Sequence, residues 1–364
     1  MQRDLDKKMV FLSGPRQVGK TWLAQEIAKK YSKSVYLNYD SFEDRTIISK
    51  GYWRPDTEIL ILDELHKMPK WKNFLKGAYD TKPPDLKILV TGSARLDTFR
   101  RSGDSLFGRF FRHRLNPLSL AEVRAKDDDT LDRLMQRGGF PEPFLAETEE
   151  EVNRWRMQYI DGLIRDDILD FEKIQNLKAM ELTLKVLRRR VGSPLSYSSI
   201  ARDINCAPNT IRKYVEILEA LFIIFRVTPF HKNIGRSLLK EPKVYFYDTG
   251  MVKGGEGARF ENLTAISLQK HLNAIEDYEG RRANLNYIRT KEKKEIDFVL
   301  VIEDEPVLLI ESKLSDTSIS PSLKYFHKKY GIPAMQLVRH LRHEQRIGGI
   351  ELRRAGDYLM SLNM

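Results

Sequence analysis

The run Gly14-Pro15-Arg16-Gln17-Val18-Gly19-Lys20-Thr21 constrains this chain more than any other feature. It matches G-x-x-x-x-G-K-[ST], and its flanks give the match meaning. Met9–Leu12 is a short apolar run suited to a strand, and Thr21–Ala28 has the composition of a helix. In a strand–loop–helix setting the two glycines let the backbone curl so that several N–H groups converge on phosphate oxygens. The helix N-terminus adds the positive end of its dipole. Backbone from Gly14 to Lys20, including Pro15, Arg16, Gln17 and Val18, is therefore expected to cradle a nucleotide, with Trp22 beside it. Lys20 reaches the β- and γ-phosphates, and Thr21 offers a hydroxyl to Mg²⁺.

A second acidic motif completes that expectation. Glu58-Ile59-Leu60-Ile61-Leu62-Asp63-Glu64 reads as a strand covered on both faces, with two carboxylates at its C-terminal end, the end where ligands bind in open α/β sheets. Asp63 is expected to hold Mg²⁺ through water, and Glu64 to polarise the attacking water. A third run, Ile88–Val90, leads to Thr91-Gly92-Ser93-Ala94-Arg95, placing Ser93 where a γ-phosphate can be sensed. Charge developing on that phosphoryl group calls for an arginine. Arg95, Arg109, Arg112 and Arg114 are candidates, with Arg109 assigned to the nucleotide site. An arginine supplied by a neighbouring subunit, and hence a homo-oligomer, stays open.

With Val35–Leu37 these apolar runs alternate with helical patterns over the first 118 residues, which argues for a parallel α/β sheet. Residues 119–190 read as mainly helical, interrupted by Gly138-Gly139-Phe140-Pro141-Glu142-Pro143. Residues 191–255 read as a winged helix-turn-helix. Ser198–Ile204 is its first helix, Asn205-Cys206-Ala207 its turn, and Pro208 opens the second helix where a missing N–H costs nothing. Leu221–Pro229 and Lys243–Asp248 are the expected wing strands. Ile211, Val215 and Leu218 recur at core spacing, leaving Asn209, Thr210, Arg212 and Lys213 for a DNA groove or its phosphates.

Charge supports that reading. The chain carries a net +11, and Arg188–Lys240 holds ten basic residues against three acidic ones, a local excess of +7. Such a cluster is the electrostatic footprint of a polyanion. A merely solvated basic face gives the same count.

Residues 256–364 return to α/β character and carry a second constellation. Glu261 lies on a predicted helix, Asp297 in Glu295–Leu300, and Glu311 and Lys313 in Val307–Lys313. A hairpin turn near residues 303–306 brings Asp297 beside Glu311, and residues two apart on a strand share a face. Carboxylates at Glu261, Asp297 and Glu311 are the expected Mg²⁺ ligands, with Lys313 positioned to act on the water that attacks a phosphodiester.

As a whole the chain resembles the AAA+-superfamily ATPases of bacteria and archaea that carry a C-terminal domain of unknown function related to PD-(D/E)XK nucleases. The resemblance rests on Ser13–Thr21, Leu62-Asp63-Glu64, Thr91-Gly92-Ser93 and Gly138-Gly139-Phe140-Pro141. It extends to Tyr287-Ile288-Arg289-Thr290, Glu295–Leu300 and Ile310-Glu311-Ser312-Lys313. It implies a P-loop ATPase core with a helical lid, a winged helix and a restriction-endonuclease-like α/β domain, using ATP and Mg²⁺. Ser93 stands where many such ATPases have asparagine.

Two function classes follow: a DNA-directed ATPase, with or without metal-dependent cutting, and an ATP-controlled switch or scaffold for a protein partner. The longest apolar run, Ala220–Phe225, is far too short to span a bilayer, and no secretory signal is expected. The single cysteine, Cys206, excludes an intramolecular disulfide framework and a cysteine-based zinc site. A reducing cytoplasm is the expected setting.

Overall fold

The computed structural model describes residues 1–92, 106–124, 128–163, 176–230, 241–290 and 292–363. Two compact units divide the chain. One comprises Met1–Asn116 with Ala220–Phe222, the other Pro117–Glu219 with Ile223–Met364.

The first unit is built on a five-stranded sheet of β1 (Met9–Ser13), β2 (Ser34–Asn38), β3 (Ile59–Asp63), β4 (Lys87–Thr91) and β5 (Phe110–Arg114), in the order β2-β3-β4-β1-β5. Every neighbouring pair is parallel. The four apolar runs read from sequence are β1 to β4. The arginine-bearing segment after them forms β5, a fifth strand that its mixed polarity concealed. β1 and β3 are buried at every position, because helices cover both sheet faces and leave no solvent-facing alternation. Two clusters fill those faces, one around Phe11, Leu60, Leu62 and Val90, the other around Val10, Leu12, Ile27 and Ile61.

In the second unit Gly138-Gly139-Phe140-Pro141 makes a tight corner. Gly138 has φ 80°, and a Cβ there would lie 1.8 Å from the Asp248 carboxylate; a Cβ on Gly139 would lie 2.3 Å from the Leu118 carbonyl oxygen. Phe140 is buried against Trp155 and Tyr159, with ring centroids at 5.5 and 5.3 Å. Pro141 then opens the helix Pro141–Leu145, where its missing N–H is harmless.

Helices Tyr197–Ile204 and Pro208–Ala220 flank a turn in which Asn205 takes a left-handed conformation, φ 58°. Ile211, Tyr214, Val215, Ile217 and Leu218 are buried on the second helix, as its periodicity predicts. β6 (Ile224–Pro229) and β7 (Lys243–Phe246) pair antiparallel. They do not end there: Thr228 and Pro229 also pair with Asn286 and Tyr287. The strands therefore form one edge of an eight-stranded mixed sheet.

The rest of that sheet is β8 (Ala283–Arg289), β9 (Glu295–Ile302), β10 (Glu305–Lys313), β11 (Ala334–Val338), β12 (Gln345–Ile347) and β13 (Ile350–Arg354). The full order is β12-β13-β11-β10-β9-β8-β6-β7. β9 and β10 form the expected hairpin, turning through Glu303 and Asp304 at φ 51° and 65°, the two positive values of a turn whose twist matches its strands. The helix Glu256–Ala274 is tied to β7 by Asn262. Its side-chain amide accepts from Phe246 N at 2.8 Å and donates to Phe246 O at 2.9 Å. No helix among the described residues is long and apolar enough to cross a membrane.

Candidate functional site

The loop after β1 has the backbone that its sequence requires. Gly14 (φ 153°), Gln17 (φ 62°) and Gly19 (φ 101°) all have positive φ, which turns successive N–H groups toward a common concavity. Gly14 is also demanded sterically, since a Cβ would lie 2.2 Å from Leu115 O. Gly19 begins the helix Lys20–Ala28 with no side-chain cap, leaving first-turn N–H groups to an anionic ligand. Lys20 is buried, and its Nζ donates to Gly14 O at 3.1 Å and Pro15 O at 2.6 Å. Arg16 and Gln17 are exposed and Val18 is buried. Trp22 points outward, 66% exposed.

β4 lies between β1 and β3, yet the two motifs meet at their C-terminal ends. Thr21 Oγ1 donates to Asp63 Oδ2 at 2.8 Å. Asp63 is 1% exposed and also accepts from Tyr36 Oη at 2.6 Å, from Glu64 N at 3.0 Å and from Thr91 Oγ1. Burial, and then the bond to Asp63, push the Tyr36 phenol well above its usual range, so it stays a donor. Four donors fix the Asp63 carboxylate in place. Sequence reading missed Tyr36 and Thr91, because only strand order brings β2 and β4 to Asp63; the signal available was a threonine closing the apolar run of β4. The hard oxygens of Thr21 and Asp63, in hydrogen-bond contact, fit a Mg²⁺ ion that also takes nucleotide phosphates.

Glu64 leaves β3 in a left-handed conformation, φ 54°. That costs about 1–2 kcal/mol for a residue with a Cβ. Its Oε2 lies 3.5 Å from Lys67 Nζ and 3.6 Å from His66 Nε2. Burial raises its pKa, against the opposing pull of Lys67 and Lys20. A carboxylate raised toward neutrality is a better proton acceptor.

The arginine candidates separate by register. Met9 pairs with Phe110 and Ser13 with Arg114, and Met9 N donates to Arg109 O at 3.1 Å. Arg109 therefore sits at the amino edge of the sheet, about 16 Å along the strand from the loop, and its guanidinium grips Asp80 at 2.8 and 3.1 Å. The expectation that Arg109 contacts nucleotide bound to its own subunit is corrected by that register. Arg112 is mid-strand, and Arg114 lies beside the loop. Ser93 and Arg95 fall outside the described residues.

The expected DNA contacts lie on the outer face of the helix Pro208–Ala220. Asn209, Arg212 and Lys213 are exposed and Thr210 is half-buried. Arg212 stacks on Tyr197, 5.4 Å from the ring centroid. Part of the local positive charge is already engaged. Arg226 pairs with Glu219, Arg190 with Asp203, and Arg188 donates to Met251 O at 2.7 Å. Residues 231–240, with Lys232, Arg236 and Lys240, lie outside the described residues.

At the C-terminal constellation, the pairing of Phe298 with Ile310 sets Asp297 across from Glu311. Lys313 Nζ lies 2.9 Å from Glu311 Oε1. Asp297 Oδ2 accepts from Ser312 N and Oγ, both at 3.0 Å. Glu261 Oε1 accepts from Tyr245 Oη at 2.7 Å. A residue that sequence reading missed stands among them. Lys243 Nζ is 2.7 Å from Glu295 Oε1, 3.6 Å from Glu261 Oε1 and 3.9 Å from Asp297 Oδ1. A lysine opening the apolar run Val244-Tyr245-Phe246 was the signal available. Among the described residues no group of three or more His, Cys, Asp or Glu side chains is disposed to hold a metal. As placed, Glu261, Asp297 and Glu311 do not fit the expected Mg²⁺, because the Lys243 ammonium lies against Glu261 and Asp297 and the Lys313 ammonium against Glu311.

Burial opposes the charge on Lys243, but Glu261, Asp297 and Glu295 outweigh it and raise its pKa. Burial, reinforced by Asp297, pushes Glu261 up to about 7. Native Glu261 thus holds its proton more tightly than the unfolded chain does. Its stabilising contribution is full below the ordinary glutamate pKa of about 4.5 and is lost as pH rises through about 7. Glu261→Gln should therefore flatten the fall in Tm between pH 5 and pH 7.5, measured by thermal unfolding in chelator. An unchanged profile would show that Glu261 does not titrate there.

Residues 6–124 match the family described as AAA domain. Residues 128–257 and 256–352 match two families described as domains of unknown function, DUF8612 and DUF4143. Among curated relatives, Rv2008c of Mycobacterium tuberculosis is 26% identical over 329 residues, covering 87% of this chain and 73% of that protein. MJ1544 of Methanocaldococcus jannaschii is 22% identical over 371 residues, covering 90% and 81%. Among solved structures, a Walker-type ATPase of Pyrococcus abyssi aligns with a TM-score of 0.46 at 14% identity, covering 69% of this chain and 92% of that one. The phosphate loop, the parallel sheet and the match over residues 6–124 together support an AAA+-like P-loop ATPase in the first unit.

Proposed function

We propose that this protein is a Mg²⁺-dependent ATPase that acts on DNA, as a translocating, branch-migrating or remodelling enzyme. The observation that carries the ATPase part is the 2.8 Å contact between Thr21 and Asp63, with Glu64 next in the chain. The loop from Gly14 to Lys20 binds the phosphates, Thr21 and Asp63 hold the ion, and Glu64 accepts a proton from the attacking water. Bound Mg²⁺ supplies charge neutralisation on the phosphates. Residues 1–118 form the ATPase core, 119–190 a helical lid, 191–255 a winged helix and 256–364 a nuclease-like domain.

The DNA part is supported by the exposed Asn209, Arg212 and Lys213 on the second helix of the winged-helix segment. Against metal-dependent cutting by Asp297, Glu311 and Lys313 stands the Lys243 ammonium, which already lies 3.9 Å from Asp297 and 3.6 Å from Glu261. The nuclease-like domain is then a DNA-binding element.

The test is ATP turnover against duplex, single-stranded and branched DNA. We expect at least one of them to stimulate turnover. Arg212→Ala with Lys213→Ala should weaken duplex binding. The slope of log K against log salt should become shallower by about 0.9 for each phosphate that is no longer neutralised. Turnover indifferent to every DNA tested would reject the DNA reading and leave an ATP-controlled switch for a protein partner.

A further inference from the structure

The C-terminal carboxylates surround a cation that belongs to the chain itself. Lys243 is 1% exposed, and its ammonium lies within 4 Å of carboxylate oxygens from three residues. Glu295 and Asp297 come from β9 and Glu261 from the helix Glu256–Ala274. Its Nζ also lies 5.4 Å from the Tyr287 ring centroid. A flexible surface lysine makes no such set of contacts. This one is held by the backbone of β7, where Lys243 pairs with Val227 on one side and bridges Pro194 on the other.

The other charges in the cluster are largely balanced. Glu295 Oε2 faces Arg289 at 3.3 Å, and Glu311 Oε1 faces Lys313 at 2.9 Å. Among the described residues, four carboxylates thus meet three cations. One buried oxygen is left over: Glu311 Oε2 has no hydrogen-bond partner among the described residues, and Glu311 is 7% exposed. A Mg²⁺ or Mn²⁺ ion would need near-octahedral oxygen ligation from these carboxylates. It would have to share them with the ammonium and bear its repulsion.

We infer that Lys243 is the resident cation of this cluster and excludes divalent metal from it. Glu261, Asp297 and Glu311 become a Mg²⁺/Mn²⁺ site only when the Lys243 ammonium is removed. This goes beyond the ATPase reading and does not depend on it.

The test uses the full chain, stripped with chelator and free of nucleotide, titrated with Mn²⁺ and followed by the EPR signal of the free ion. Wild type and Asp297→Asn should take up the same amount of Mn²⁺. Lys243→Met should bind one further ion per chain, at least tenfold more tightly than wild type binds any at this cluster. Adding Asp297→Asn to Lys243→Met should abolish that gain. The phosphate loop is common to all four proteins and cancels. If Asp297→Asn removes an ion from the wild type, the inference is overturned. It is overturned equally if folded Lys243→Met gains no ion. Should Lys243→Met not fold, the first comparison still decides: equal uptake supports exclusion by Lys243, and a loss refutes it. A chain that hydrolyses no ATP would leave these outcomes unchanged.

Discussion

Glu64→Gln should lower ATP turnover by about 10²- to 10⁴-fold, the range for loss of a positioned general base, while nucleotide still binds. Lys20→Ala should fail earlier, at binding. Lys20 is buried and donates to two loop carbonyls, so alanine removes the charge that meets the phosphates and also leaves those carbonyls without their donor. Loss of a charge-assisted hydrogen bond from Lys20 to phosphate, worth about 1.5–3 kcal/mol, predicts an affinity loss of at least about tenfold. Fluorescent-nucleotide titration and steady-state turnover separate the two variants. Equal turnover in wild type and Glu64→Gln would remove Glu64 from the mechanism. Because burial raises the Glu64 pKa, turnover should decline on acidification above the ordinary carboxylate range, where the protonated acid can no longer accept.

Lys243→Ala should be the most destabilising single substitution in the C-terminal cluster. Removing one partner from a buried ion pair costs about 3–5 kcal/mol, because the partners stay buried without compensation. Here three carboxylates lose their shared cation. The sign of the pH dependence is fixed by Glu261, whose pKa is about 7. Below that value it takes up a proton and the repulsion eases, so the loss should be larger at pH 8 than at pH 6. Urea midpoints at the two pH values measure it. A loss independent of pH would point to packing of the lysine stem instead of charge.

Local chemistry made much of the nucleotide site legible. A loop whose backbone must reach positive φ announces itself by glycine, and a strand covered on both faces announces itself by an unbroken apolar run. Asp63 and Glu64 were visible as carboxylates closing such a run. The buried stripe of Pro208–Ala220 followed from helical spacing, and the β9–β10 hairpin from two apolar runs around a polar turn. All of these depend on residues within a few positions of each other.

What the tertiary structure alone decided is lateral and long-range. Strand order put β4 beside β3 and so brought Thr91 to Asp63. The register of β5 put Arg109 at the edge of the sheet away from the loop, although its position in sequence made it as eligible as Arg114. Charge counting could not tell Arg212, exposed on its helix, from Arg226, already paired with Glu219. Lys243 entered the carboxylate cluster because β7 joins the same sheet as β9, although Asp297 lies 297 − 243 = 54 residues further along the chain. Backbone preference and periodicity act locally and are written in short stretches of sequence; which charges share a burial site depends on contacts that only the folded chain makes.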